Sequence, residues 1–204
     1  MIKQKDWGGN IKTTWVTLAA TNHSDTQREE FDYYATEPRA VEIWLNERKP
    51  QLTQTILEPS AGEGHMAEVL KSHGYNVICK DIVQRSYPLD GLWDFLKVEE
   101  HNPYSIVMNP PYKYALEFIE KAIEISDPGT DIWVFSKLQF LEGKERRKRL
   151  YDAQYLKEVD VYTGRVNCAK NGLIEKYKTS AVCYSFMRFN SIQSGDPPII
   201  KWIN

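Results

Sequence analysis

The segment Thr55-Ile56-Leu57-Glu58-Pro59-Ser60-Ala61-Gly62-Glu63-Gly64 decides the fold. Thr55-Ile56-Leu57 is a short apolar run that breaks at once into a turn rich in Pro and Gly. Beyond the turn, Met66, Val69 and Leu70 keep helical spacing up to Gly74. A strand feeding a helix through a glycine loop opens a parallel α/β sheet. Gly62 and Gly64 let the backbone turn tightly beneath a ligand, where a Cβ would collide. A plain glycine turn with no ligand has the same pattern.

The alternation continues on both sides. Val41, Ile43, Trp44 and Leu45 fall at amphipathic spacing between Pro38 and Pro50, where the helix must stop. Tyr75-Asn76-Val77-Ile78-Cys79 reads as a second strand closed by Lys80-Asp81, and Ser105-Ile106-Val107-Met108 as a third. A helix from Ala115 to Ile125, a strand Asp131-Ile132-Trp133-Val134-Phe135 and a charged helix from Lys144 to Tyr151 follow. Leu156–Tyr162 and Ala181–Phe189 are two late strands. Short strands alternating with helices predict a largely parallel sheet covered by helices. The division expected is a polar arm over 1–30, one α/β domain over 31–190 and a tail over 191–204.

In such sheets ligands bind outside the carboxyl ends of the strands, where the strand order reverses. Three strands end distinctively: on Glu58 to Gly64, on Asp81, and on Asn109-Pro110-Pro111-Tyr112. They are expected to share one rim. Glu63 would repel a pyrophosphate, and the third glycine of the dinucleotide fingerprint is missing. That disfavours a nicotinamide dehydrogenase, while a cationic sulfonium is tolerable there. Asp81 can accept two ribose hydroxyls with Ile82 against an adenine ring, or be an ordinary surface acid.

Asn109-Pro110-Pro111-Tyr112 is the most specific signal. The lone pair of an aromatic amine is delocalised and weakly nucleophilic. Acceptors aimed at both amine hydrogens favour a pyramidal nitrogen, and the Asn109 side-chain carbonyl and Pro110 backbone carbonyl can supply them. The two prolines hold φ near −65° and so pre-organise the loop. Tyr112 offers a flat face for a base. The alternative is a strand-terminating turn.

These residues resemble those of the S-adenosylmethionine-dependent amino-methyltransferases, above all the adenine-specific DNA methyltransferases of the Asn-Pro-Pro-Tyr kind. The resemblance covers roughly residues 31–190. It implies a Rossmann-like class I methyltransferase fold, with a mostly parallel seven-stranded sheet and helices on both faces. It also implies that Glu58, Pro59, Ser60, Ala61, Gly62 and Gly64 bind S-adenosylmethionine and that Asp81 holds its ribose. Asp94-Phe95 stands where the family cradles the cofactor adenine. Tyr33, Tyr34, Thr36 and Pro38 match a segment that closes over the methionine end, with Ala35 where relatives often carry proline. Phe140-Leu141-Glu142-Gly143 and Gly164-Arg165-Val166 look like weaker downstream motifs.

The implied substrate is DNA adenine, flipped out of the duplex against Tyr112. Adenine in RNA or a protein glutamine amide presents the same planar NH₂ and stays open, as does a non-catalytic module that only binds the cofactor. Little chain remains for a target-recognition region beyond the arm and the stretch Gly164 to Thr179. The net charge of −2 excludes a wholly basic nucleic-acid-binding domain but not a basic patch. Lys144, Arg146, Arg147, Lys148 and Arg149 form the densest one, which Arg165, Lys170, Lys176 and Lys178 could extend. Such a run either contacts phosphates or is a solvated helix face.

Cys79, Cys168 and Cys183 are widely spaced, which suits a reducing cytosol and argues against a disulfide scaffold or zinc site. His23, His65, His73 and His101 show no ligand spacing, so no metal is expected. No stretch approaches the roughly 20 apolar residues of a membrane span. The reading is a soluble, cytoplasmic protein without a membrane partner.

Overall fold

The structure, a computed structural model, describes residues 34–170, 182–193 and 195–204. The arm 1–30, Tyr33, Lys176, Lys178 and Ala181 lie outside the described residues, as does the Lys170 side chain.

Strand β1 (Tyr34–Thr36) leads into helix α1 (Pro38–Arg48), then β2 (Thr55–Glu58), α2 (His65–Ser72), β3 (Asn76–Asp81) and the two-residue β4 (Gly91–Leu92). After β5 (Ser105–Met108), α3 (Ala115–Ile125) and β6 (Ile132–Lys137) come β7 (Leu156–Tyr162), β8 (Cys168–Lys170), β9 (Tyr184–Phe189) and β10 (Ile199–Ile203). The main sheet has the order β4-β3-β2-β5-β6-β9-β7-β10. Every pairing in it is parallel except those of β9, which runs antiparallel to both β6 and β7. A separate two-stranded sheet pairs β1 with β8, antiparallel, setting Thr36 opposite Cys168.

The strand order reverses between β2 and β5, so their carboxyl ends open the crevice of the fold. All four residues of β5 are buried, as a central parallel strand requires. Val107 points into one core, with Trp44, Met66, Leu70, Trp133, Phe135 and Phe186. Ile106 and Met108 point into the other, with Phe118, Ile119, Ala122, Val134 and Met187. α1 and α2 therefore cover one face and α3 the other. In the first core Trp44 stacks on Phe186 at 4.1 Å between ring centroids and meets Trp133 edge-on at 5.1 Å.

The main sheet has eight strands where seven were expected. Ile199–Ile203, which falls within the stretch read as a tail, pairs in parallel with β7 as an edge strand. Lys201 reaches Glu158 at 2.8 Å, and Arg48 pairs with both Glu158 and Asp160, tying this edge to α1. The stretch read as a charged helix is one helical turn over Lys144–Arg146 followed by a widened turn over Arg147–Tyr151. The widening, with Asp152 N bonded to Arg147 O at 2.7 Å, accompanies burial of Leu150. Among the described residues no helix is long and apolar enough to cross a membrane.

Candidate active site

The glycine loop is held to the end of β3. Ala61 N donates to Lys80 O at 3.0 Å, and Gly62 N donates to the Asp81 carboxylate at 2.8 Å. Gly62 has φ 57° and Gly64 φ 74°, both in the left-handed region that favours glycine. A Cβ at Gly64 would also run into the Tyr87 ring. Tyr87 is fixed there by its hydroxyl, which donates to Glu68 and accepts from Lys71 at 2.8 Å. Packing within the protein thus demands glycine at this position, a cause that neither sequence reading, a ligand turn or a plain turn, contained.

Asp81 lies almost wholly buried at the tip of β3, its other oxygen accepting from Val83 N at 3.0 Å with Arg85 at 3.5 Å. Each carboxylate oxygen has two lone pairs, so the group can anchor the loop and still accept from a ligand. Ile82, beside it, is 52% exposed, an apolar surface where a flat ring could rest. Glu58 is buried, and its pKa is raised well above the carboxylate range by burial and then by the neighbouring Asp81 charge. Lys71 and the Ala67 backbone N–H pull the other way without reversing this, so the fold favours the protonated form of Glu58.

Ser60 Oγ donates to the Asn109 backbone carbonyl at 3.2 Å, joining the glycine loop to the Asn-Pro-Pro-Tyr loop. The three strand ends therefore do share one rim. The Asn109 amide nitrogen donates to Tyr34 O at 2.8 Å, Thr36 Oγ1 at 3.0 Å and Cys168 Sγ at 3.3 Å. Its Oδ1 is buried with no hydrogen-bond partner. The two-stranded sheet thus grips the donor end of the amide and leaves the acceptor end bare. Pro110 is buried, and Pro111 O accepts from Tyr114 N at 2.9 Å to close a turn.

Tyr112 differs from the open platform expected. Tyr34 stacks on its ring at 4.9 Å between centroids, and the Lys137 ammonium stands 4.2 Å from the ring centre. A base stacking on Tyr112 must share or displace these groups. Burial, then the nearby Cys168 and Tyr184, push the Tyr112 hydroxyl well above its ordinary pKa. Phe95 also departs from a ligand-facing position, since its ring is packed in the core against Phe118 at 5.2 Å. Asp94 stays half-exposed, capping Leu96 N at 3.2 Å and pairing with Lys97 at 2.9 Å. Thr36 is buried, and Pro38 is the first residue of α1.

Much of the basic run is engaged within the chain. Arg149 pairs with Glu120, Arg147 with Asp152 at 3.2 Å, and Arg146 lies over the Phe140 ring at 4.8 Å while bonding Glu142 O. Lys144 and Lys148 are exposed. Arg165 donates to Cys183 Sγ at 3.0 Å. Sequence reasoning missed three residues of the site: Tyr87, Lys137 and Cys168. Lys137 was within reach, because it ends β6 on the carboxyl side of the sheet; Tyr87 and Cys168 carry no local signal. Among the described residues no cluster of His, Cys, Asp and Glu could hold a metal ion.

No protein-family model matches the chain, and no curated protein is significantly similar to it in sequence. Solved structures share its fold. A Pyrococcus horikoshii protein provisionally assigned as an RNA methyltransferase aligns with a TM-score of 0.58 at 14% identity, over 89% of this chain and 98% of its own. A Listeria monocytogenes protein provisionally assigned as a class I S-adenosylmethionine-dependent methyltransferase gives 0.56 at 10% identity, over 93% of this chain and 71% of its own. The methyltransferase subunit of a type I restriction-modification system from Streptococcus thermophilus gives 0.51 at 12% identity, over 79% of this chain and 45% of its own. The likeness establishes a class I methyltransferase fold.

Proposed function

We propose that the chain transfers a methyl group from S-adenosylmethionine to the exocyclic amine of adenine in DNA. The observation that carries this reading is the bare Asn109 Oδ1, an acceptor kept in place at the end of β5 and joined through Ser60 to the glycine loop. A buried acceptor without a partner costs about 1–3 kcal/mol, so its retention fits a donor that arrives with a ligand. The residues around the crevice fit the cofactor. Asp81 has lone pairs left for ribose hydroxyls, and exposed Ile82 suits a purine face.

When bound, S-adenosylmethionine supplies an electrophilic methyl group on a good leaving group. Asn109 Oδ1 and the Pro110 carbonyl would accept the two amine hydrogens, turning the nitrogen lone pair towards that methyl. Tyr112, with Tyr34 and Lys137 beside it, would hold the flipped base. Exposed Lys144 and Lys148 would contact phosphates. Adenine in RNA is the second reading, supported by the fold likeness that spans 98% of the Pyrococcus horikoshii protein.

The deciding experiment incubates the protein with tritiated S-adenosylmethionine and DNA, RNA or protein, followed by nucleoside mass spectrometry. N6-methyladenine in DNA is expected. The same product only in RNA selects the second reading, and label only in protein overturns both.

A further inference from the structure

An asparagine side chain can turn over about its last bond, exchanging acceptor and donor ends at little steric cost. If the Asn109 amide turned, its NH₂ would face the amine and its oxygen would face the Tyr34 carbonyl, acceptor against acceptor. Something must hold the amide one way round. Tyr34 O does part of this at 2.8 Å, but it is a single acceptor for a group with two N–H bonds. The remaining acceptors are Thr36 Oγ1 and Cys168 Sγ, at 3.0 and 3.3 Å.

A thiol can act as donor or acceptor, so its own partner decides which end it shows. The Cys168 thiol donates to Tyr34 O at 3.6 Å. With its hydrogen directed there, the sulfur can accept from the Asn109 NH₂. Tyr34 O, which can only accept, sets the direction of the amide, and Cys168 Sγ and Thr36 Oγ1 complete the acceptors around Asn109 Nδ2. β8 supplies this thiol because its register with β1 sets Cys168 opposite Thr36, the residue that makes the third contact.

We infer that Cys168, together with Thr36, is a positioning residue that fixes the Asn109 amide with Oδ1 facing the substrate amine. The inference rests on the proposed methyl transfer for its consequence, but not for its geometry, so two measurements separate them. In asparagine-selective ¹⁵N spectra, the Asn109 NH₂ pair (identified by its loss in Asn109→Asp) is expected to be protected from solvent exchange. Cys168→Ala should lower that protection about 3–10-fold, as loss of one modest hydrogen bond does, and Cys168→Ser should restore most of it. In the transfer assay, Cys168→Ala should lower kcat by a similar factor with KM for S-adenosylmethionine unchanged, again recovered by Cys168→Ser.

Unchanged protection in Cys168→Ala overturns the inference. So does equal loss in Cys168→Ser and Cys168→Ala, the mark of a merely structural cysteine. A parent protein with no methyl transfer defeats the proposed function, while amide exchange still decides the positioning.

Discussion

The two loops that meet at the crevice hold their polar groups differently. In the glycine loop the backbone is tied down, Gly62 N bonding Asp81 and Asp81 also holding Val83 N, although Glu58 Oε2 at its start is buried without a partner. Tyr87 fills the space over Gly64 and is itself bonded to Glu68 and Lys71. In the Asn-Pro-Pro-Tyr loop the amide of Asn109 is satisfied at one end only, and Oδ1 stays bare. The first loop is fastened to its neighbours, and the second presents one acceptor without a partner. Changes in the first should therefore register as stability or binding, and changes in the second as turnover.

The largest test of that contrast is Asn109→Ala. It should lower methyl transfer by roughly 10²-fold or more, as loss of one preorganised polar group does, while leaving the melting temperature and cofactor affinity nearly unchanged. Single-turnover rates and calorimetric titration would check both halves. A comparable loss of cofactor binding would erase the distinction between the loops.

Gly64→Ala should do the reverse. The left-handed backbone and the clash with Tyr87 predict a cost of about 2–3 kcal/mol, and hence a melting temperature lower by roughly 5–10 °C. Thermal unfolding measures this, and Tyr87→Ala in the same chain should recover the part due to the clash.

Asp81→Asn is expected to weaken S-adenosylmethionine binding about tenfold by replacing a charged acceptor with a neutral one, with kcat at saturation largely kept. Titration against the parent protein would check it, and a fall in kcat with unchanged affinity would move Asp81 out of the cofactor side.

Glu58→Gln is the smallest and concerns pH. Because the folded pKa of Glu58 lies above its unfolded value, its stabilising contribution is present at low pH. That contribution is lost as pH rises from the ordinary carboxylate range through the folded pKa. The parent should weaken relative to Glu58→Gln across that window, seen as diverging urea midpoints as pH is raised. Parallel midpoints would mean that folding does not raise the Glu58 pKa.

Much of the fold was legible because the signals are local. Ser105–Met108, apolar after its first residue, reads as a buried central strand, and Ala115–Ile125 has both its bounds in its apolar spacing. The strands hidden from such reading were the three-residue β1 and β8, the two-residue Gly91–Leu92 and the edge strand Ile199–Ile203, whose Ile199, Ile200 and Trp202 stay exposed. The first three are too short to show a period, and the last lacks the burial that marks a strand. Phe95, which the family resemblance sets near the cofactor adenine, is packed in the core, a placement that its residue type does not reveal.

From the sequence alone came the alternation of strand and helix, the glycine turn, and the rule that strand ends bearing polar or Gly/Pro residues gather on one rim. Each depends on side-chain periodicity or on backbone limits that act within a few residues. Only the tertiary structure decided which way the Asn109 amide faces, what stands over Gly64 and what touches Tyr112. Those outcomes depend on partners such as Cys168, 59 positions away in the chain. Hydrogen-bond direction is set by whichever groups the folded sheet brings within about 3 Å, and no local pattern of residues encodes that.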